Sequence, residues 1–225
     1  MKMTFASISA VFLLAVAGTT ACRATDPGAG SPAVAVPPIV QPGAPGSPSR
    51  AISAADAAAV AGTRHTAADV EFMQGMIGHH AQALDLTALV AARTNDEDMR
   101  MLALRIQLSQ EDEILMMQRW LEIRGEEAPR THAHHEAGAM LMPGMLTAEE
   151  MSRLEDATGP EFDRLFLESM IKHHEGALIM VDDLFATAGA GQESNIFAFA
   201  SDVVADQRAE MDRMTAMINA KFKEQ

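Results

Sequence analysis

The chain has few of the residues on which several common functions depend. It contains one cysteine, Cys22, so an internal disulfide and a Cys-x-x-Cys motif are excluded. It has no tyrosine and one tryptophan, and its 17 Lys and Arg against 31 Asp and Glu give a formal net charge of −14. Because binding to nucleic acid needs clustered positive charge, we expect no nucleic-acid partner. No Ser/His/Asp arrangement or phosphate-binding glycine loop is evident either, which leaves hydrolase and nucleotide-binding functions without support.

The first residues have the pattern of an export signal. Lys2 is followed by an apolar run from Phe5 to Ala17, too short to span a bilayer, and then by small residues up to Cys22. We therefore expect residues 1–21 to be a signal peptide and the protein to be exported. A lipid on Cys22 would make it a membrane-anchored lipoprotein, and ordinary cleavage would make it periplasmic or secreted. We expect no contact with a membrane other than this possible lipid on Cys22.

Composition divides the rest of the chain into a tether and one folded domain. Residues 26–50 hold seven of the ten prolines, with Gly, Ala and Ser between them, so they cannot bury a core. We predict a flexible tether over residues 22–52 and a single domain over residues 53–225. The helical pattern divides that domain into two similar halves and an irregular connector, at about 66–124, 148–222 and 125–147.

A repeated segment is the most informative feature of the domain. Met76-Ile77-Gly78-His79-His80 and Met170-Ile171-Lys172-His173-His174 match, and the similarity extends without gaps over Asp69–Leu86 and Asp163–Met180. On a helical wheel His80 and His174 lie in the middle of apolar stripes, while His79 and His173 lie at the flanks. The pattern predicts an all-α protein made of two similar helical hairpins, in which His80 and His174 point inward.

Two further helices carry polar residues in an apolar stripe. Gln110 and Glu113 interrupt one stripe, and Gln207 and Glu210 interrupt the other. Charged residues are rarely buried unless they are paired or bind a metal. We therefore predict that the four helices bring these side chains and the histidines to one interior cluster, which we interpret as the site.

Methionine is the abundant residue that gives the cluster its predicted chemistry. Fifteen methionines lie outside the signal, and most of them are expected to be pliable core filling. Met76 and Met170 differ because each lies one turn before a histidine pair, and thioether with imidazole suits Cu(I) better than Zn²⁺, Mg²⁺ or Ca²⁺. The connector gathers three further histidines and three methionines, which are His132, His134, His135, Met140, Met142 and Met145. This composition fits an accessory metal-capture segment and a solvated loop equally well.

The paired Met-Ile-x-His-His segments, each with a trailing Gln-x-x-Glu helix, resemble the bacterial family called domain of unknown function 305. The resemblance implies a ferritin-like up-down four-helix bundle in an exported protein, with copper binding and tolerance as associated functions. The family commonly has Pro before the His pair, where this chain has Gly78 and Lys172, and a later Met that is kept as Met180 but replaced by Leu86. By position, the functional residues it implies are Met76, His79, His80, Met170, His173, His174 and Met180, supported by Gln110, Glu113, Gln207 and Glu210.

These observations favour a metal-binding protein of the cell envelope over two alternatives. We expect copper, preferably Cu(I), with other transition metals as substitutes, and binding rather than catalysis. In the first alternative, His80 and His174 only hydrogen-bond Glu113 and Glu210 and fix the register of the bundle. The second is a di-iron or di-manganese oxidase, which needs more inward carboxylates and a Glu-x-x-His motif that these helices lack.

Overall fold

The computed structural model describes residues 38–60, 65–129 and 141–222. Four helices of 27 to 29 residues account for most of this part. They are preceded by two short strands and a short helix, and another short helix lies between the two long pairs. In chain order the elements are β1 Ile39–Gln41, β2 Arg50–Ile52, α1 Ala54–Val60, α2 Ala67–Arg93, α3 Glu97–Arg124, α4 Ala148–Asp156, α5 Gly159–Ala186 and α6 Ser194–Phe222.

Local capping interactions set several of the helix ends. The Thr66 hydroxyl accepts from the Asp69 amide, and the Asp69 carboxylate accepts from the Thr66 amide, which makes a capping box at the start of α2. Thr147 and Glu150 form the same box at the start of α4. The side chain of Asp96 caps α3. These interactions satisfy backbone N–H groups that have no partner within a helix.

The long helices pack as an all-α bundle. α2 packs against α3, α5 packs against α6, and α2 and α5 join the two pairs. Between α3 and α6 the surface opens into a groove of about 510 Å³. Among the described residues, no helix is both long enough and apolar enough to cross a membrane.

Two separate apolar clusters fill the bundle. The first contains Met73, Met76, Met117 and Val181, and the second contains Leu86, Ile106, Phe166 and Met170. Each cluster draws residues from all four long helices. The methionines of these two clusters are thus buried as core filling, in agreement with their adaptable shape.

Composition predicts a flexible tether over residues 22–52, but residues 38–52 of this segment are folded against the bundle. β1 and β2 pair in an antiparallel hairpin, and the Gln41 side chain is buried against the end of α5. Its amide donates to the Thr187 carbonyl at 3.4 Å and its oxygen accepts from the Gly189 amide at 3.2 Å, while Arg50 donates to the Ala186 carbonyl at 2.8 Å. The hairpin therefore provides partners for polar backbone groups where α5 ends, a role that proline and glycine content does not reveal.

Residues 141–146, which we call the strap, cross the seam between α2 and α5. The Gln82 side chain donates to the Leu146 carbonyl at 3.0 Å and accepts from the Leu146 amide at 2.7 Å. Gly144 has a φ of 75° and packs directly on Gly176 of α5, where a side chain on either residue would overlap the other backbone. Gln82 is buried because the strap covers it.

Replacing Gly176 by alanine tests this close approach. The new Cβ would overlap the Pro143 carbonyl and lie 2.6 Å from the Gly144 Cα, so we expect a loss of about 1–3 kcal/mol in the free energy of unfolding. Gly78→Ala in α2 is the control, because its Cβ would meet only the Met142 methyl at an ordinary 3.4 Å. Helix propensity then favours that variant by up to about 1 kcal/mol. Urea unfolding followed by circular dichroism measures both, and equal stabilities would contradict the packing.

Candidate metal centre

A polar layer lies between the two apolar clusters, at the middle of the bundle. α2 and α5 contribute histidine pairs, and α3 and α6 contribute a glutamine and a glutamate each. Seven of these side chains belong to buried residues, and Glu113 is partly exposed. The layer comprises His79, His80, Gln110, Glu113, His173, His174, Gln207 and Glu210.

Two histidine–glutamate pairs hold the outer parts of this layer. His80 Nε2 donates to the Glu113 carboxylate at 2.5 Å, and His174 Nε2 donates to the Glu210 carboxylate at 2.7 Å. Each pair joins the two helices of one hairpin, α2 to α3 and α5 to α6. Since a carboxylate oxygen accepts, Nε2 carries the proton in both rings and Nδ1 is the nitrogen left for another partner.

The other two histidines meet across the α2–α5 seam. The rings of His79 and His173 have centroids 3.8 Å apart and an interplanar angle of 37°. His79 Nε2 donates to the Pro143 carbonyl of the strap at 3.0 Å. The ring centroids of His79 and His80 are 6.4 Å apart, and those of His173 and His174 are 6.3 Å apart. The sequence placed His79 and His173 at the flank of their stripes, yet both are fully buried because the strap covers the seam.

Five ring nitrogens of this layer are buried without a hydrogen-bond partner. They are Nδ1 of His79, His80 and His174 and both nitrogens of His173. An unpartnered buried polar group costs about 1–3 kcal/mol, so these atoms need a reason to be there. Three of the four histidines share one arrangement, in which Nε2–H is held by an oxygen and Nδ1 is free. This is the usual arrangement of a metal-ligating histidine, whose second ring nitrogen is oriented by a carboxylate or a carbonyl.

Burial keeps the central imidazoles neutral. Loss of hydration lowers the pKa of His79 to about 3, with a smaller contribution from His80 and an opposing one from the Pro143 carbonyl. Burial and then the neighbouring His79 and His174 hold the pKa of His173 well below its usual range. The backbone of His79 raises the pKa of His173, but by less than burial and the neighbouring imidazoles lower it. A neutral imidazole keeps a lone pair, so both rings can bind a metal without first losing a proton.

The two glutamines of the layer are also incompletely satisfied. Gln207 has no partner for either side-chain polar atom, and Gln110 has none for its oxygen. Both side chains are buried. Nearby, partial desolvation followed by the charges of Glu113 and Glu210 raises the pKa of Asp206. The α3–α6 side of the layer is therefore acidic, and Glu113 and Asp206 both line the groove there.

The structure distributes the remaining predicted residues unequally. Met76 and Met170 are fully buried in different apolar clusters, so they are not brought together. Met180 and Met142 lie side by side at a surface pocket beside the strap, whereas Met145 is buried. The predicted positions outside the described residues are Cys22, His132, His134, His135 and Met140.

Within the described part of the chain, no group of three or more His, Cys, Asp or Glu side chains is arranged to hold a metal ion. The His79 and His173 rings contact each other with their planes tilted by 37°, and they are not arranged with other ligands around one point. Coordination by this layer therefore requires the rings to turn within the bundle. Two residues that shape the layer, Gln82 and Pro143, were not predicted from the sequence. The Pro143-Gly144 pair, which is typical of a turn, could have indicated that the chain changes direction there, and the structure shows this turn packed on Gly176.

The fold and this layer define the class of protein as a helical bundle with a core of imidazole and carboxylate groups. Residues 69–218 match the family model described as domain of unknown function DUF305. The chain therefore belongs to the DUF305 family, as its paired histidine segments predicted.

Solved structures agree with this assignment. A DUF305 fragment from Deinococcus radiodurans is 31% identical with a TM-score of 0.60, over 70% of this chain and 99% of that one. A protein of the family from Streptomyces coelicolor, thought to be secreted, is 28% identical with a TM-score of 0.59, over 68% and 93%. CopM in its Cu(I)-bound form shares the fold at 24% identity and a TM-score of 0.54, over 68% and 97%. A search of curated proteins finds no match.

The two histidine–glutamate pairs differ in exposure, and this predicts unequal stability effects. His174→Phe leaves Glu210, 6% exposed, without its partner, whereas in His80→Phe the 17% exposed Glu113 can turn toward water. An unsatisfied buried acceptor costs about 1–3 kcal/mol and more when charged. We therefore expect His174→Phe to destabilise the protein at least that much and His80→Phe to destabilise it less. Chemical unfolding of the matched variants measures this, and the reverse order would contradict the assigned burial.

Proposed function

We propose that this protein binds copper, as Cu(I), through the buried histidine layer and sequesters it in the cell envelope. The observation that supports this most is the shared state of His79, His80 and His174. In each ring an oxygen holds Nε2–H, while the buried Nδ1 has no partner. Retaining such nitrogens in an apolar interior is costly unless something binds them.

In this proposal His79 and His173 are the central ligands, and His80 and His174 complete the site. His79 and His173 already touch across the seam and are neutral, so each keeps a lone pair that a turn of the ring would direct to a shared metal ion. Glu113 and Glu210 act through the outer histidines, because they hold Nε2–H and so direct Nδ1 to the metal. Gln110 and Gln207 border the same layer and can donate to or accept from ligands there. Met76 and Met170 support the site from the clusters on either side.

Copper is the metal that best fits this donor set. Buried imidazoles with nearby thioethers and few free carboxylates match the soft Cu(I) ion better than Zn²⁺, Mg²⁺ or Ca²⁺. The DUF305 relatives are consistent with this, since CopM has been crystallised with Cu(I), Ag and Cu(II). Other transition metals that accept imidazole are the alternatives.

A purely structural role for the layer is the second candidate, and one observation favours it. Both His–Glu pairs form with short hydrogen bonds and each fixes one hairpin, as a register-setting contact would. This role explains His80 and His174 but leaves His173 with two unpartnered nitrogens. A dinuclear oxidase is less compatible still, because Glu113 and Glu210 are engaged by histidines and the helices offer no Glu-x-x-His motif.

Export is part of the proposal and rests on residues outside the described part. The signal pattern over residues 1–21 and Cys22 supports export to the envelope, as a lipoprotein or as a periplasmic or secreted form. Its relative from Streptomyces coelicolor is also thought to be secreted. The domain beyond the hairpin, from residue 53, would then hold copper outside the cytoplasm.

Cu(I) titration of the purified protein tests the proposal. We expect saturable, stoichiometric binding that raises the stability of the fold, by about 2.7 kcal/mol when free Cu(I) is one hundred times Kd. The double variant His80→Gln/His174→Gln keeps an N–H for each glutamate but removes both Nδ1 donors, and we expect it to lose the binding. Competition with a chromophoric Cu(I) chelator measures the affinity, and thermal unfolding measures the stability.

His65→Gln is the matched control, because His65 lies outside the layer against Trp120 and Glu126. It should bind Cu(I) as the parent protein does. If the parent binds Cu(I) no more tightly than an equally acidic protein, and its thermal unfolding ignores the metal, the structural role replaces the proposed one.

A further inference from the structure

A pocket of about 300 Å³ lies on the outer side of the strap, between α2 and α5. Its lining includes Met142 of the strap and Met180 of α5, with Gly75 of α2 between them. Two exposed carboxylates, Glu71 and Asp183, stand at its rim. None of the residues of the histidine layer lines this pocket.

The two methionine side chains in the pocket approach the same point. A Cβ at Gly75 would lie 3.4 Å from Met142 Sδ and 3.4 Å from the Met180 methyl. These two atoms can therefore be no further apart than twice that distance. The strap and α5, two segments distant in sequence, thus bring two thioethers together over Gly75.

The packing of this pair differs from that of the core methionines. Met73, Met76, Met117 and Met170 have no exposed surface, whereas Met142 and Met180 are only half-buried and border open space. Glycine inside a helix costs about 1 kcal/mol relative to alanine. An alanine would fit at Gly75 in ordinary contact, so tight packing alone does not require glycine there. A glycine leaves the space between the two sulfur-bearing side chains free.

We propose that Met142 and Met180 form a second, outer site for a soft monovalent cation, Cu(I) or its analogue Ag(I). Thioethers carry no charge and bind such ions in preference to Zn²⁺, Mg²⁺ or Ca²⁺. The carboxylates of Glu71 and Asp183 raise the local cation concentration without providing a soft donor. Met142 directly precedes Pro143, whose carbonyl occupies His79 Nε2. A cation at the outer site is therefore one residue from the contact that covers the buried layer.

This outer site rests on the proposed function only for the choice of Cu(I) as the natural cation. Its donors are thioethers and those of the buried layer are imidazoles, so the two sites report through different nuclei. Titration of the purified protein, carrying ¹³C-labelled methionine methyls, with Ag(I) under NMR observation separates them. Histidine ring protons report the buried layer in the same samples.

We expect the methyl signals of Met142 and Met180 to shift together as Ag(I) is added and to ignore Zn²⁺. Met142→Leu should abolish the shift of Met180, and Met180→Leu that of Met142, with affinity at this site lowered about tenfold or more. Met151→Leu is the matched control, since Met151 is half-buried and packs against an apolar cluster, as Met180 does, but does not line this pocket. It should change neither signal.

Each outcome decides one of the two proposals. If the histidine protons respond and the two methyls do not, or only one methyl responds, the outer site is wrong and the copper-binding layer stands. If the two methyls respond together and the histidines stay silent with Ag(I) and Cu(I), the outer site is supported and the proposed function of the layer is contradicted. Equal effects of Met142→Leu and Met151→Leu would also overturn the outer site.

Discussion

Burial of imidazole and carboxylate groups at the middle of the bundle is the constraint on which the rest of the structure depends. All four long helices contribute a polar side chain to one layer, and an apolar cluster lies on each side of it. The pairs His80–Glu113 and His174–Glu210 join the helices within each hairpin, while the stacked rings of His79 and His173 join one hairpin to the other. The layer thus ties the helices together at the place where hydrophobic packing is interrupted.

The surroundings of this layer are chemically asymmetric. On the α2–α5 side the strap covers the seam, and its Pro143 carbonyl and the Gln82 side chain fix it to α2. The thioethers of Met142 in the strap and Met180 of α5 lie on its outer side. On the α3–α6 side there is an open groove whose lining includes Glu113, Asp202 and Asp206. The α2–α5 side therefore carries two thioethers with carboxylates at the pocket rim, whereas several carboxylates line the α3–α6 groove together with Met116, Arg119 and Arg124.

Much of the fold follows from the sequence because helical periodicity and capping are local. The Thr66–Asp69 and Thr147–Glu150 boxes begin α2 and α4 close to the starts at about 66 and 148 that the sequence predicts for the two halves, and the all-α bundle and family are confirmed. The β1–β2 hairpin was not foreseen, since its stability comes from the Gln41 and Arg50 contacts with the end of α5. The complete burial of His79 was not foreseen either, because the strap that covers it is an irregular segment without periodicity.

By itself, the sequence determined which face of each helix is apolar, and hence that His80, His174 and Glu210 point inward, since the spacing of residues fixes their angle around a helix axis. Only the tertiary structure decided which of these groups meet. In the folded protein His79 contacts His173, and His79 Nε2 donates a hydrogen bond to the Pro143 carbonyl. Met76 and Met170 lie in different apolar clusters. The physical reason is that contacts between helices depend on their relative shift and on the segment that crosses them, and neither quantity is encoded in the periodicity of a single helix.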